Sequence, residues 1–248
     1  MLIFPSLIKT IEEKGSAYIV LIDPDKKNSD NIENIVEKGN KSNVDAFFVG
    51  GSLIMDSKYE NRVKSIKNNS DIPVILFPGG VNQINSYFDA MLFMSMISGR
   101  NPHYLIGEQV ISAPIIKDLG IETISTGYIL IDGGVQSMVQ VMSDTNPISM
   151  DRHDAIIAHA LAAQYLGMKM IYLEAGSGAT KSIDNNIIKS VSEIINIPLI
   201  VGGGLRDPKT VSEKVDSGAS IIVTGTITEE DSSVMKDIAS ATHWKIND

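Results

Sequence analysis

Eight short apolar segments recur along the 248-residue chain, and they limit its possible folds more than any other feature. Most of them are continuously apolar, which is typical of parallel strands that are buried on both faces. The segments span residues 17–23, 46–51, 73–79, 90–96, 122–132, 170–176, 198–204 and 220–226. The pattern therefore predicts a sheet of eight parallel strands.

Helical patterns occupy several of the intervals between these segments. Apolar side chains recur every three or four residues in 30–40, 153–168, 185–196 and 207–218. Asp207 and Pro208 have the residue types of an N-cap and a first helical position. This alternation favours an α/β fold of the TIM (β/α)8-barrel type over its main rival, a doubly wound sheet.

The interval 80–89 is short for a full helix, so we expect an irregular third β/α unit and a modified barrel. A chain of this length could also form two small domains. Because the sequence contains no linker, low-complexity tract or internal repeat, we predict one domain over residues 1–248.

Charge and composition narrow the possible functions. A net charge of −9 and an isoelectric point near 4.9 argue against a general nucleic-acid binder, which needs clustered basic residues. The absence of cysteine excludes a disulfide framework and thiolate chemistry. There is no signal-peptide pattern, and the longest apolar run, near 90–97, is too short to cross a membrane. We expect a soluble cytoplasmic protein without stable membrane insertion.

Glycine-rich stretches follow the seventh and eighth apolar segments. "VGGGLRDP" contains Gly203 and Gly204, and "VTGT" contains Gly225 and Thr226. In a TIM barrel these loops lie at the C-terminal ends of the strands, where phosphate groups are often bound. Glycine lets backbone N–H groups approach an anion, and a helix beginning near Asp207 would add its positive end. Such glycines can also form simple turns, but two loops at these positions favour a phosphate site.

Acidic residues follow the first apolar segment in "LIDPDK". Asp23 and Asp25 would lie at the end of the first strand, next to Ser52 at the end of the second. Oxygen ligands of this kind suit Mg²⁺. The Asp-Pro-Asp sequence is equally compatible with a capped turn. A metal opposite a phosphate site would suit a substrate with a diphosphate leaving group.

Tyr172 and Glu174 alternate along the sixth predicted strand, so both side chains should point to the same side. Glu174, at the end of this strand, could accept a proton from a substrate hydroxyl. A surface carboxylate on a loop is the alternative. The glycines that follow, in "EAGSG", favour a site.

Other familiar motifs fail on spacing. In "EAGSGATKS" the residue before Lys181 is Thr180, whereas a P-loop requires glycine there. The histidines do not form a metal-ligand pattern; they are His103, His153, His159 and His243.

The motifs "LIDPDK", "SGRNPHYLIG", "TGYILIDGG", "YLEAGSGA" and "VGGGLRDP" together resemble those of the geranylgeranylglyceryl and heptaprenylglyceryl phosphate synthases. The resemblance extends over nearly the whole chain. It implies a modified TIM barrel that joins sn-glycerol 1-phosphate to a long prenyl diphosphate through an ether bond and releases diphosphate. It also implies a homo-oligomer, a dimer or a hexamer, for which the methionine-rich stretches 91–96 and 138–150 could supply contacts.

The resemblance further implies roles for individual residues. Asp23 and Ser52 would bind Mg²⁺, whereas a role for Asp25 stays open. Tyr172 and Glu174 would be catalytic. The glycerol phosphate would contact Tyr172, Leu173, Glu174, Ala175, Gly176, Ser177 and Gly178, and its phosphate would contact Gly203, Gly204, Gly225 and Thr226. Residues 77–80 and 94–107 are candidates for a prenyl groove.

Several alternatives remain at this stage. Geranylgeranyl diphosphate is the expected donor, and heptaprenyl diphosphate is the alternative. A phosphate-binding barrel isomerase or lyase would share the glycine loops but would need neither Mg²⁺ nor an apolar groove. The non-catalytic alternative is a lipid-phosphate carrier or an inactive barrel that acts through assembly, and binding of prenyl diphosphate without turnover would favour it.

Overall fold

The computed structural model describes residues 2–246 and places all eight predicted strands in one closed parallel barrel. The strands are β1 (Ala17–Ile22), β2 (Ala46–Val49), β3 (Val74–Leu76), β4 (Ala90–Ser95), β5 (Glu122–Leu130), β6 (Met170–Glu174), β7 (Leu199–Gly202) and β8 (Ile221–Thr224). Neighbours pair in chain order, and β8 pairs with β1 to close the barrel. The fold is a single-domain TIM barrel, as predicted.

Helices connect the strands on the outside of the barrel. Within residues 2–246 they are α1 (Ile3–Lys14), α2 (Ile32–Lys41), α3 (Tyr59–Asn69), α4 (Glu108–Leu119), α5 (Met138–Ser143), α6 (His153–Tyr165), α7 (Asn185–Ser192), α8 (Pro208–Asp216), α9 (Thr226–Glu230) and α10 (Met235–Thr242). α2, α6, α7 and α8 confirm the four predicted helices, although α7 ends before the predicted residue 196. The other six were not predicted.

The third β/α unit is irregular, as the short interval predicted. Between β3 and β4 the chain forms only a 3₁₀ turn, Val81–Gln83, in place of a helix. A second irregular element, the π-helix His103–Gly107, runs directly into α4. Single π turns inserted next to α-helices are often found at functional sites.

The core has two layers because neighbouring strand residues point to opposite faces. Ile19 and Phe48 belong to a cluster inside the barrel, whereas Val20 and Phe47 pack between the strands and the helices. The N-terminal helix α1 contributes Leu7 to the inner cluster and thereby closes the N-terminal end of the barrel. The opposite, C-terminal end of the barrel contains a cavity.

A buried carboxylate joins the two ends of the chain to this closed end. Asp45 accepts hydrogen bonds from Lys14 Nζ (2.5 Å) and from the Tyr18 N–H (2.8 Å), and it lies 2.7 Å from His243 Nε2. Its side chain is 5% exposed. The C-terminal helix α10 is therefore tied to α1 and β1 through one side chain.

The expectation that both methionine-rich stretches face a partner is partly wrong. Met91 and Met96 lie in or next to β4 and are buried, so they cannot contact another chain. Met138 and Met142, on α5, are exposed. No helix within residues 2–246 combines the length and apolar character needed to cross a lipid bilayer.

Candidate active site

A cavity of about 380 Å³ lies at the C-terminal end of the barrel. The predicted site residues that line it are Asp23, Ser52, Tyr172, Glu174, Gly176, Ser177, Gly178, Gly203, Gly204, Gly225 and Thr226. The structure thus brings the predicted metal, base and phosphate residues around one volume. Asp25 also lines it.

Leu173 and Ala175 contribute no side chain to this cavity. Both pack in the outer layer of the core, between the strands and the helices. The reason is the alternation along β6, which sends Tyr172 and Glu174 inward and the residues between and after them outward. Only the backbone of Leu173 and Ala175 can contact a molecule in the cavity.

The loop after β7 is shaped by two glycines in the left-handed region. Gly203 and Gly204 have φ of 83° and 69°, which a side chain would strain. A Cβ on Gly204 would also lie 2.8 Å from the backbone of Lys181 and Ser182. These two glycines therefore let the β7 loop pack against the β6 loop while its backbone faces the cavity.

The helix that follows this loop does not take the role expected for it. Asp207 caps α8 and accepts a 2.9 Å hydrogen bond from the Thr210 N–H, which confirms the predicted cap. Arg206, however, is the last residue of this loop that lines the cavity, and Asp207 does not line it. An N–H group in the first turn of α8 is thus bonded to the Asp207 carboxylate. The short helix α9, which begins at Thr226, is the one that faces the cavity.

Glu174 lies at the end of β6 and is buried, with 6% of the residue's surface exposed. One carboxylate oxygen accepts a 2.7 Å hydrogen bond from the Gly176 N–H. Burial raises the pKa of this carboxyl to about 7, and the hydrogen bond from Gly176 opposes the shift only in part. A carboxyl with a pKa near neutrality can both hold and release a proton under ordinary conditions, which suits a general base.

The hydroxyl of Tyr172 is fully buried at the floor of the cavity. Burial raises the pKa of this hydroxyl, and the neighbouring Glu174 carboxylate raises the pKa further. A Cβ at Gly202 would lie 2.3 Å from this hydroxyl, so a glycine is needed beside it. The Tyr172 hydroxyl therefore lies beside Glu174, and both residues line the cavity.

The acidic end of the cavity collects oxygen atoms from three elements. Asp23 follows β1, Ser52 follows β2, and Glu229 lies on α9. The Asn28 side chain connects two of them, donating 2.9 Å hydrogen bonds to the Asp23 carbonyl and to the Glu229 carboxylate. Burial raises the pKa of Asp23; Lys27, whose Nζ lies 3.8 Å from the carboxylate, opposes this, and Asp25 adds to it.

Within residues 2–246 there is no group of three or more His, Cys, Asp or Glu side chains arranged to hold a metal ion. A centre built from Asp23 and Ser52 would need further ligands from substrate or water. Mg²⁺ commonly binds in that way, through one or two carboxylates and the oxygens of a phosphate group. The all-oxygen donor set therefore fits Mg²⁺.

A second, apolar pocket of about 100 Å³ adjoins the first cavity. Its walls come from the loop after β3, which contains Phe77, from strand β4 with Met94, from the π-helix with Tyr104, and from α4 and α5. The pocket exists because the third unit has no helix to fill this space. It includes residues from both predicted groove segments, 77–80 and 94–107.

Sequence reasoning missed the residues that hold the wall of this pocket. Glu108 accepts a 2.8 Å hydrogen bond from the Val81 N–H and lies 2.8 Å from His103 Nε2. Gln109 donates to the carbonyls of Met94 and Tyr104. No local pattern marks these contacts, because the partners come from separate elements.

Two basic side chains, Lys27 and Arg206, also line the polar cavity and were not singled out from the sequence. Lys27 adjoins the acidic end through Asp23. Arg206 follows the glycines of the β7 loop and is exposed. Both place positive charge at the entrance of a cavity in an acidic protein, which favours anionic ligands.

Comparisons with known proteins agree with this geometry. The model of the PcrB family matches residues 8–242. The geranylgeranylglyceryl phosphate synthase of Chitinophaga pinensis is 43% identical over 241 residues, which are 97% of this chain and 96% of the relative.

Solved structures of similar proteins extend the agreement to three dimensions. The wild-type enzyme of this name from Thermoplasma volcanium superposes with a TM-score of 0.91 and 35% identity, covering 98% of each chain. The Thermoplasma acidophilum enzyme, solved in complex with its substrate sn-glycerol-1-phosphate, gives a TM-score of 0.89 and 32% identity over 96% of this chain and 98% of that one. The sequence match, the barrel and its site together show that this chain belongs to the PcrB family.

Proposed function

We propose that this protein is a Mg²⁺-dependent geranylgeranylglyceryl phosphate synthase. It would transfer the geranylgeranyl group of its diphosphate to the 3-hydroxyl of sn-glycerol 1-phosphate, giving an ether-linked lipid precursor and diphosphate. One observation carries the proposal: a polar cavity with a buried carboxylate opens directly into an apolar pocket. A polar and an apolar substrate can thereby meet.

The polar substrate fits the cavity between β6 and β8. Backbone N–H groups of the loops at Gly203 and Gly225 would bind its phosphate, with the Thr226 hydroxyl as a further donor. The glycerol would then extend toward the buried Tyr172 hydroxyl. Held at both ends, the substrate would present its 3-hydroxyl to Glu174.

Glu174 takes the proton of that hydroxyl. Its pKa near 7 means that an ionised carboxylate is present at neutral pH, and the Gly176 N–H fixes the orientation of one of its oxygens. The burial that raises the pKa also excludes water, which would otherwise compete as a nucleophile.

Asp23 and Ser52 would hold Mg²⁺, and Asp25 and Glu229, which lie close to Asp23, would add negative charge around it. When bound, this ion would neutralise negative charge on the diphosphate leaving group. The first part of the prenyl chain would lie in the apolar pocket, whose described lining carries a single charged side chain, Glu108, and whose volume of about 100 Å³ leaves the rest of the chain outside it.

We also propose that the protein forms a homo-oligomer. Exposed apolar side chains are concentrated on α4 and α5, among them Val110, Ile111, Met138 and Val141. Static light scattering tests this directly: a mass above 26.9 kDa per particle supports assembly, and a monomer mass contradicts it.

The proposed reaction is tested by incubating the protein with radiolabelled sn-glycerol 1-phosphate, Mg²⁺ and a series of prenyl diphosphates. Label that enters the organic phase, most rapidly with the geranylgeranyl donor, is the expected result. A maximum with heptaprenyl diphosphate would retain the reaction and change the donor. Binding of the donor without product would indicate a carrier, and no binding would indicate an isomerase or lyase of phosphorylated metabolites.

A further inference from the structure

The polar cavity and the apolar pocket meet at a small set of shared residues. The residues that line both are Gly51, Ser52, Phe77, Tyr128 and Val139. Ser52 marks the side of the proposed diphosphate site. Phe77 and Tyr128 mark the side that leads into the apolar pocket.

The proposed function, on which this inference rests, determines which bond lies at this junction. A prenyl diphosphate with its diphosphate near Ser52 and its chain in the pocket must place its first carbon between them. The bond between that carbon and the diphosphate oxygen breaks there, and its electron pair leaves with the diphosphate. The 3-hydroxyl oxygen of the glycerol forms the new bond to the same carbon, and its proton passes to Glu174.

Aromatic rings surround this point. The ring centroids of Phe77 and Tyr128 are 6.3 Å apart, and the rings are inclined at 60°. The Tyr172 ring packs against both, with its centroid 5.6 Å from that of Phe77 and 5.3 Å from that of Tyr128. No Lys or Arg side chain is among the described residues that line the apolar pocket.

We propose that Phe77 and Tyr128 are catalytic residues whose rings stabilise the positive charge that develops on the allylic carbon. The faces of aromatic rings attract cations, and the attraction is stronger away from water. The carbon is neutral in the bound substrate and cationic only as the bond breaks. The rings therefore bind the transition state more strongly than the ground state, which raises kcat.

The expected size of the effect follows from measured cation–aromatic attractions. Such contacts contribute about 0.5–2 kcal/mol, which corresponds to roughly 2- to 30-fold in rate for each ring. Loss of a ring should lower kcat by this factor and leave the KM of both substrates nearly unchanged, because the charge is absent before the reaction.

The direct test replaces Phe77 with phenylalanines that carry one, two and three ring fluorines in the full-length protein. Fluorine withdraws charge from the face of the ring and changes its shape little. We expect log kcat to fall stepwise with the number of fluorines. The same series at Phe4, which packs at the closed end of the barrel, serves as the control and should leave kcat unchanged.

Tyr128 is tested by comparing Tyr128→Phe with Tyr128→Leu. Tyr128→Phe keeps the ring and should retain kcat within about 3-fold, whereas Tyr128→Leu should lose about 10-fold or more. A rate that is independent of fluorination at Phe77 in an active protein overturns this inference alone. A wild-type protein that makes no prenyl product overturns the proposed function as well, so the two failures are distinguishable.

Discussion

The backbone N–H of Gly176 donates a 2.7 Å hydrogen bond to the buried carboxylate of Glu174. The bond fixes the carboxylate at the end of β6, where it faces the cavity. Because Gly176 has a φ of 99°, the turn that brings its N–H to Glu174 is readily adopted only by glycine. The position of the proposed base is therefore built into the local backbone.

Glu174→Gln keeps the shape of this side chain and removes its ability to accept a proton. We expect kcat to fall by about 100-fold or more, in the range for loss of a general base. The affinity for sn-glycerol 1-phosphate, measured by calorimetry, should change little. An unchanged kcat would exclude Glu174 as the base.

The dependence of the rate on pH should follow the same carboxyl. With a pKa raised to about 7, Glu174 is progressively protonated below neutrality, so kcat/KM should fall about tenfold per pH unit on the acidic side. The substrate phosphate also titrates, near pH 6. The residual activity of Glu174→Gln separates the two, because only the substrate's limb should remain. A fall in kcat/KM that is centred near the ordinary glutamate pKa in the wild type would contradict the account.

Gly203→Ala should damage both binding and catalysis. The residue has a φ of 83°, and a Cβ would lie 2.6 Å from Glu174 Oε1. We expect a higher KM for sn-glycerol 1-phosphate and a lower kcat, together with a loss of stability of about 1–2 kcal/mol from backbone strain.

Gly120→Ala is the matched control for that prediction. Gly120 ends α4 with a φ of 69°, and a Cβ there would meet no atom within 4 Å. The variant should lose a similar stability in urea denaturation and keep wild-type kinetics. Equal kinetic defects in the two variants would show that strain alone, rather than the contact with Glu174, accounts for the effect at Gly203.

The Asp45 carboxylate should stabilise the fold in a pH-dependent way. Burial would raise its pKa, but hydrogen bonds from His243, Lys14 and the Tyr18 N–H outweigh burial and lower it. A carboxyl with a lower pKa in the folded state stabilises above the unfolded pKa of about 3.9 and loses that contribution as the pH falls further.

Asp45→Asn should therefore cost about 3 kcal/mol of the free energy of unfolding at pH 7, since it leaves buried partners without their carboxylate. Urea denaturation over a range of pH provides the check. The difference between wild type and variant should narrow below pH 4. A difference that stays constant would show that the cost arises from packing.

Removal of Mg²⁺ should abolish turnover without abolishing the binding of sn-glycerol 1-phosphate. Chelation is expected to lower the rate by at least about 100-fold, and added Mg²⁺ should restore it. Asp23→Asn should raise the Mg²⁺ concentration needed for half-maximal rate. Full activity in the presence of chelator would contradict the assignment of Asp23 and Ser52.

The eight strands could be predicted from the sequence because each is buried on both faces and is therefore continuously apolar. The glycine loops could also be predicted from the sequence, since Gly203 and Gly204 adopt conformations that glycine alone readily allows. Helix α4 could not be recognised, because Pro114 lies inside it and its apolar residues are distributed around its surface. Its shape depends on the π-helix before it.

Contacts between distant residues could not be predicted. His243 is far from Asp45 in the sequence, and no sequence pattern around it indicates Asp45 as its partner. The meeting of Phe77 and Tyr128 likewise depends on the closure of the barrel, which brings β3 and β5 to either side of one pocket. The sequence motifs indicated the polar end of the site, and only the fold showed that an apolar pocket adjoins it.

The central claim, that the glycerol hydroxyl attacks the prenyl carbon, is tested most directly by an isotope label. sn-Glycerol 1-phosphate carrying oxygen-18 in its 3-hydroxyl is incubated with the protein, Mg²⁺ and geranylgeranyl diphosphate, and the products are examined by mass spectrometry. The account predicts that the heavy oxygen is retained in the ether bond of the lipid product and that the released diphosphate contains none. Heavy oxygen in the released diphosphate, or a lipid product without it, would contradict the account.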